Sequence, residues 1–459
     1  MIGIFITFIG AILVLFGGLN KQESALKNIA ALFLIIASAL TLLESLELLN
    51  FSALSNWAPK SMLNFDKGDL MFVSLLAGIT AAIVAIFPSS NHKGSDKLGL
   101  IMLSLNGAFM MMGADNLVML FLGIEVLSIP LYVLAGSDKM NLRSNEAAIK
   151  YFLMGAFSTA IFLLGCAFIY GGTSTLSLSE IEVRMSIVGH FAEFPALVKA
   201  GVLLMSTGLL FKVSAFPFHF WAPDVYEGSP NKITTFMAVV VKIAGFVAFA
   251  NFLQAFNALS AWSNQWVIVL SVATILFGNI AAITQKTVKR TLAYSSIAHA
   301  GYLLLFLITP MQGNMWVLFA YSVAYALSTT TLFYFNDKFS GNGEYGFDMF
   351  KGLFTANKSA AILITVALFS IAGIPITVGF TAKYYLFTSA FDVSPLAVCI
   401  ALIGSAISIM YYFKGFKGIY TETESNNTAQ TTSVHWVVYF MVILSIVLGM
   451  FPYIFERCF

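Results

Sequence analysis

Charge is scarce in this chain. Only 10% of its 459 residues are Asp, Glu, Lys or Arg, while 59% are hydrophobic. A soluble domain carries about 25% charged residues. That contrast excludes a soluble globular protein and points to one long membrane domain. An excess of one sign is missing too: the net charge of +2 leaves no basic footprint for a nucleic acid. Cysteine is nearly absent, with Cys166, Cys399 and Cys458 far apart. No CxxC, HExxH or haem-attachment spacing occurs, so no metal or redox cofactor is expected in the chain itself. Nowhere does a ten-residue stretch alternate as a membrane strand would, which leaves helices to satisfy the backbone in lipid. The opening MIGIFITFIGAILVLFGG lacks a basic n-region and an A-x-A site, so it is expected to be a retained span.

What the chain has is long apolar runs. A helical span needs about 20 residues. The runs predict an all-α polytopic membrane protein with fourteen spans, at 1–18, 28–49, 70–88, 98–113, 116–136, 145–170, 196–220, 232–256, 264–284, 291–309, 313–336, 359–391, 395–414 and 433–455. With both termini placed outside, sixteen of the 24 Lys and Arg fall on the cytoplasmic side. Five fall on the outer side: Lys60, Lys67, Arg184, Lys199 and Arg457. This asymmetry is what the positive-inside rule requires. Three lysines fit neither side: Lys212, Lys242 and Lys383.

Two spans carry helix breakers. Span 7 contains Pro217 in AFPF, and span 12 contains Gly373 and Pro375 in AGIPITVGF. A proline removes one helical hydrogen bond and clashes with the preceding turn. As one helix, span 12 would reach about 50 Å against a hydrocarbon core of about 30 Å. Broken spans at matching places in two halves mark inverted-repeat transporters. Spans 4–8 (98–256) and 9–13 (264–416) are therefore expected to form two inverted five-helix repeats. Residues 1–95 and 433–459 flank them as a three-helix segment and a terminal helix.

A fourth ionisable residue, Glu125, lies mid-span in NLVMLFLGIEVLSIPLYVLAG. Each such group costs about 2.5–3.5 kcal/mol at the bilayer centre. Four unpaired would cost on the order of 10 kcal/mol, comparable to a whole domain's stability. Desolvation works against the charged form and an opposite charge works for it, so such a group can change charge when its neighbour does. That is what a proton relay needs, although static ion pairs would look the same in sequence. Glu44 and Glu47 lie near the outer end of span 2, where a carboxylate reaches headgroup water. His299, two turns into span 10 after the basic QKTVKR loop, reads equally as a proton uptake group or a satisfied core histidine. His219 follows the span 7 break and is expected near the cytoplasmic surface; His92, His190 and His435 have no special claim. GNGEYG (341–346) fits GxGxxG, but no βαβ unit surrounds it, so it reads as a polar loop, as does TETESNNTAQTTS.

The stretches GIEVLSIPLYVLAG, EAAIKYFLMGAFSTAIFLLG, LLFKVSAFPFHFWAPDVYEGSP, KRTLAYSSIAHAGYLL and FSIAGIPITVGFTAKYYLF occur in that order between about residues 98 and 416. Together they resemble the antiporter-like membrane subunits of respiratory complex I, NADH:quinone oxidoreductase. The resemblance implies that Glu125 pairs with Lys212, that Lys242 is the central lysine and that Lys383 stands at the far half-channel. Protons would pass along these residues, driven by quinone reduction in partner subunits that hold NADH, FMN, iron–sulfur clusters and quinone. Partners would be the neighbouring antiporter-like and small helical membrane subunits, in a bacterial inner membrane. Lysine at 383 fits the subunit N branch, where the subunit M branch has glutamate. The chain's end after span 14 separates it from the subunit L branch, which continues into a lateral helix. Subunits of multi-component sodium/proton antiporters and membrane hydrogenases share these charges and stand as the alternative reading. A scaffold whose buried charges only lock helices is a third.

Overall fold

The computed structural model describes residues 1–18, 23–49, 62–88, 94–188, 196–309, 313–340, 345–422 and 433–459. Most of GNGEYG and TETESNNTAQTTS, together with His92, His190, Lys60 and Lys93, lie outside the described residues. Among the described residues the repeating structure is helical, with two isolated β-bridges, Leu63 to Ala114 and Asn116 to Ser177. In chain order the helices are α1 (Ile2–Gly17), α2 (Glu23–Ser45), α3 (Lys67–Ile86), α4 (Gly94–Met112), α5 (Leu117–Ala135) and α6 (Leu142–Thr173). Next come α7 (Leu178–Val188), α8 (Ala196–Lys212), α9 (Trp221–Gly228), α10 (Asn231–Phe236) and α11 (Lys242–Ala255). The last are α12 (Ser260–Thr284), α13 (Val288–Phe306), α14 (Met315–Ser340), α15 (Leu353–Ala356), α16 (Lys358–Ala372), α17 (Val378–Phe391), α18 (Pro395–Tyr420), α19 (Trp436–Met450) and α20 (Tyr453–Cys458). Among the described residues, eight helical runs are long and apolar enough to cross a membrane by length and composition.

Helix starts follow capping chemistry more than hydropathy. Asp66 accepts from the Asp69 backbone N–H at 2.7 Å, and Asp69 reaches back to Asp66, a capping box that starts α3. Asn116 caps α5 through Val118, and Thr287 caps α13 through Arg290. Such caps let helices begin in polar residues ahead of the apolar run. α6 accordingly reaches 32 residues, starting in LRSNEAA.

The chain forms two compact units: Met1–Trp221 with Val240–Trp266, and Ala222–Val239 with Val267–Phe459. In the first, helices pack nearly backbone to backbone on small residues, as membrane helices do. A Cβ at Gly107 of α4 would stand 2.1 Å from the Leu127 backbone nitrogen of α5. Gly165 of α6 and Gly201 of α8 meet in the same way, each site's Cβ falling within about 3 Å of the other's carbonyl. These two close pairs carry α5, α6 and α8 with the polar side chains they bear. In the second unit α14 runs through the middle and packs against α16, α17 and α19.

Candidate functional site

In the first unit the site is built where α8 stops. Ser214 takes the left-handed conformation (φ 59°), and the Ala215 N–H donates to the Leu210 carbonyl at 2.9 Å. The Ser214 N–H donates to the Phe211 carbonyl at 3.1 Å. This pair of bonds is a Schellman ending. The helix therefore ends at Lys212, ahead of Pro217, and the proline does not open it. Pro217 lies in the stretch before helix resumes at Trp221, where it lacks the N–H that continuation would need. The Trp221 indole N–H donates to the Phe211 carbonyl at 2.9 Å, so protein rather than water occupies that carbonyl.

Lys212, 2% exposed, points back along its helix, as helical side chains do. Its Nζ donates to Ser128 Oγ at 2.5 Å, and Ser128 in turn donates to the Ile124 carbonyl. Glu125 stands on α5 three residues before Ser128, half-buried, and lies within electrostatic reach of the ammonium. The direct partner of Lys212 is thus a serine, with the carboxylate acting through space. Tyr132 and Tyr151 present their rings to Nζ at 5.6 and 5.8 Å, within cation–π range. Tyr151 stacks on Trp221, with centroids 4.6 Å apart, so the wall of the lysine site continues into the break.

Lys242 is 1% exposed and opens α11. The five residues before it, Met237–Val241, form a π turn, a bulge frequent at functional sites. α11 packs against α8, and Gly245 meets Val213, the residue after Lys212. Farther along α11, Asn251 donates to Asp69 at 3.1 Å and to the Met112 carbonyl at 2.9 Å. Asp69, 5% exposed, is a buried carboxylate that the sequence pattern hid beside Lys67 at a span's edge.

The second unit holds Lys383 and His299. α16 ends at Ala372 with Gly373 left-handed (φ 86°), and Ile374 N–H donates to the Phe369 carbonyl at 2.9 Å. The ending has the form seen at Ser214, and Pro375 follows it. Lys383, from α17, reaches back to the end of α16: its Nζ donates to the Ala372 carbonyl at 2.8 Å and to Ser405 Oγ at 3.1 Å. The Tyr302 ring lies 5.3 Å from that ammonium. A helix's carbonyl end carries partial negative charge, which favours a cation there. Lys383 thus places its ammonium at the carbonyl end of α16, whereas Lys212, the last residue of α8, gives its ammonium to Ser128.

His299 is 4% exposed. Its Nδ1 meets the Tyr321 hydroxyl at 2.7 Å and its Nε2 the Tyr412 hydroxyl at 3.5 Å. Tyr412 also bonds Ser295, and Tyr325 donates to Ser296 at 3.0 Å. His299, Tyr321, Tyr325, Ser370 and Lys383 line one narrow cavity. His219 is 1% exposed, with the Phe216 and Phe220 rings 5.5 and 4.4 Å from its own. Glu47 is exposed just beyond α2, and Glu44 is half-buried in the helix's last turn. Among the described residues, no three His, Cys, Asp or Glu gather closely enough to hold a metal ion.

Sequence reading missed Ser128, Tyr132, Trp221, Tyr321 and Ser405. Helical spacing could have found some of them: Ser128 and Tyr132 share the Glu125 face at i+3 and i+7, and Tyr321 and Tyr325 share a face at i+4.

The family model described as "NADH:quinone oxidoreductase/Mrp antiporter, TM" matches residues 114–408. NADH-quinone oxidoreductase subunit N of Cytophaga hutchinsonii is 38% identical over 426 residues, covering 90% of this chain and 91% of that one. The protein of the same name from Flavobacterium johnsoniae is 38% identical, covering 85% and 87%. A chain of respiratory complex I from Thermus thermophilus superposes with a TM-score of 0.82 at 28% identity, covering 99% of this chain and 98% of that chain. A chain of an archaeal membrane-bound sulfane sulfur reductase shares the fold, with a TM-score of 0.81 at 21% identity, covering 100% and 95%.

Proposed function

The chain belongs to the NADH:quinone oxidoreductase/Mrp antiporter membrane family, and from that premise we propose that it is the subunit N-type proton translocator of NADH:quinone oxidoreductase. Its partners are the other membrane subunits of that complex. It holds no redox group; NADH, FMN, iron–sulfur clusters and quinone act in partner subunits. Protons pass over Glu125, Lys212, Lys242 and Lys383, with His299 as an uptake group. The observation that carries this reading is the setting of Lys212 and Lys383: each ammonium is buried, at a helix break, and held by a hydroxyl. A hydroxyl both accepts and donates, so it can take a proton from an ammonium while giving up its own. Glu125, by gaining or losing charge one turn from Ser128, changes how firmly Lys212 keeps its proton.

The same reading places fourteen spans in the membrane, with 98–256 and 264–416 as inverted repeats and both termini on the outer face of a bacterial inner membrane. In its support, a helix lies in every predicted span, the three unassigned lysines are the buried ones among the described Lys and Arg, and the first half-helix of each broken span ends in the same left-handed turn.

The test is proton pumping per electron in purified, reconstituted complex carrying Glu125→Ala. The reading expects assembly with slowed, poorly coupled turnover; normal pumping at full assembly would sink it. The family's name also covers cation/proton antiporters, which gives a second reading. Sodium-dependent proton flux by the reconstituted complex without NADH would favour that one instead.

A further inference from the structure

We infer that Tyr321 is a positioning residue for His299, holding the imidazole as a through-path between Ser295 and the cavity that His299 shares with Lys383. The inference rests on the proposed relay and adds a residue to it. His299 sits between two phenols: Tyr321 Oη lies 2.7 Å from Nδ1, and Tyr412 Oη lies 3.5 Å from Nε2. Tyr412 leads to Ser295, one turn nearer the basic start of α13. Tyr321 leads the other way, because it lines the cavity with Lys383, Tyr325 and Ser370. The two contacts differ in strength. At 2.7 Å the Tyr321 contact is a good hydrogen bond, whereas 3.5 Å is at the limit. Tyr321 therefore fixes the ring, and Tyr412 is its looser neighbour. The rings of Tyr302 and Tyr325 lie 5.7 and 5.2 Å from the imidazole, and Lys383 lines the same cavity.

The hydrogen bond made by one ring nitrogen decides which nitrogen carries the proton. Tyr321 in place makes the two nitrogens unequal and keeps each facing its own side. A proton crossing the ring arrives at Nε2 as another leaves Nδ1 to Tyr321 Oη. The phenol releases its own proton into the cavity in the same event, so neither the ring nor the phenol retains charge. Without the hydroxyl, Nδ1 loses its 2.7 Å partner on the cavity side, and the two nitrogens are no longer held unequal by that bond.

The test uses the intact complex carrying Tyr321→Phe. Infrared difference spectra, with the His299 bands assigned by their loss in His299→Gln, read the ring's protonation pattern directly. The expected result is a moved or split His299 band, and proton pumping slowed roughly 10-fold, which is about 1.4 kcal/mol of barrier. An unchanged band with an unchanged pH profile of pumping overturns the inference. If Tyr321→Phe does not assemble, 3-fluorotyrosine at 321 keeps the size and the hydroxyl while strengthening it as a donor. A shifted pH profile then supports the inference, and an unchanged one overturns it. A moved His299 band alongside normal pumping in Lys242→Ala complex would sink the relay and leave the positioning role standing.

Discussion

The ammonium of Lys383 donates to the carbonyl oxygen of Ala372 at 2.8 Å, closing the gap that Gly373 opens between α16 and α17. One lysine thus serves two ends. It satisfies a carbonyl that the helix ending leaves over, and it sits beside the cavity that reaches His299. Lys383→Met separates these roles from bulk. It keeps the length, leaves the Ala372 carbonyl without its partner and costs about 1–3 kcal/mol of stability. Pumping should be lost while the complex still assembles, which proton uptake and native gels check together.

Ser128 is the direct partner of Lys212, so Ser128→Ala should act on the relay while Glu125 is left in place. The ammonium would lose its 2.5 Å acceptor. A hydrogen bond to a charged group is worth about 1.5–3 kcal/mol, so coupled turnover should fall roughly 10-fold or more. Ser128→Thr keeps the hydroxyl and should recover most of it. Steady-state quinone reductase and pumping rates on both variants decide the matter.

Trp221→Phe keeps an aromatic ring against Tyr151 but removes the N–H bonded to the Phe211 carbonyl. The break should loosen at a cost of about 1 kcal/mol. A lower melting temperature of the purified complex, with Lys212-dependent pumping reduced but present, is expected. No change in either would mean that the indole bond does not hold the break.

Gly107→Ala tests packing apart from proton transfer. Its Cβ would lie 2.1 Å from Leu127 N, so α4 and α5 must part. Overpacking of this kind costs about 1–3 kcal/mol. The amount of assembled complex should drop, and pumping per electron in what remains should stay normal. Full assembly with poor coupling would contradict that division.

The sequence exposes what breaks a pattern and hides what conforms to it. Lys212, Lys242 and Lys383 stand out because nothing in an apolar run explains a lysine. Ser128 and Tyr321 do not, because serine and tyrosine are ordinary in spans, and only tertiary packing brings them to Lys212 and His299. Gly373 is legible as a helix end, since glycine suits the left-handed turn it occupies. Ser214 takes the same turn without the glycine that would announce it, so Pro217 drew the eye three residues too late. The π turn at MAVVV, made only of apolar residues, carries no signal at all. α7 also escaped, because 11 residues of mixed polarity resemble neither a span nor a loop.

The central claim is that the buried lysines move protons rather than lock helices. Lys242 tests it most directly, being 1% exposed at the start of α11 and following a π turn. The measurement is protons translocated per electron by reconstituted Lys242→Ala complex, with assembly confirmed on the same sample. A clear fall in that ratio in fully assembled complex is the predicted result. An unchanged ratio at full assembly would contradict the account.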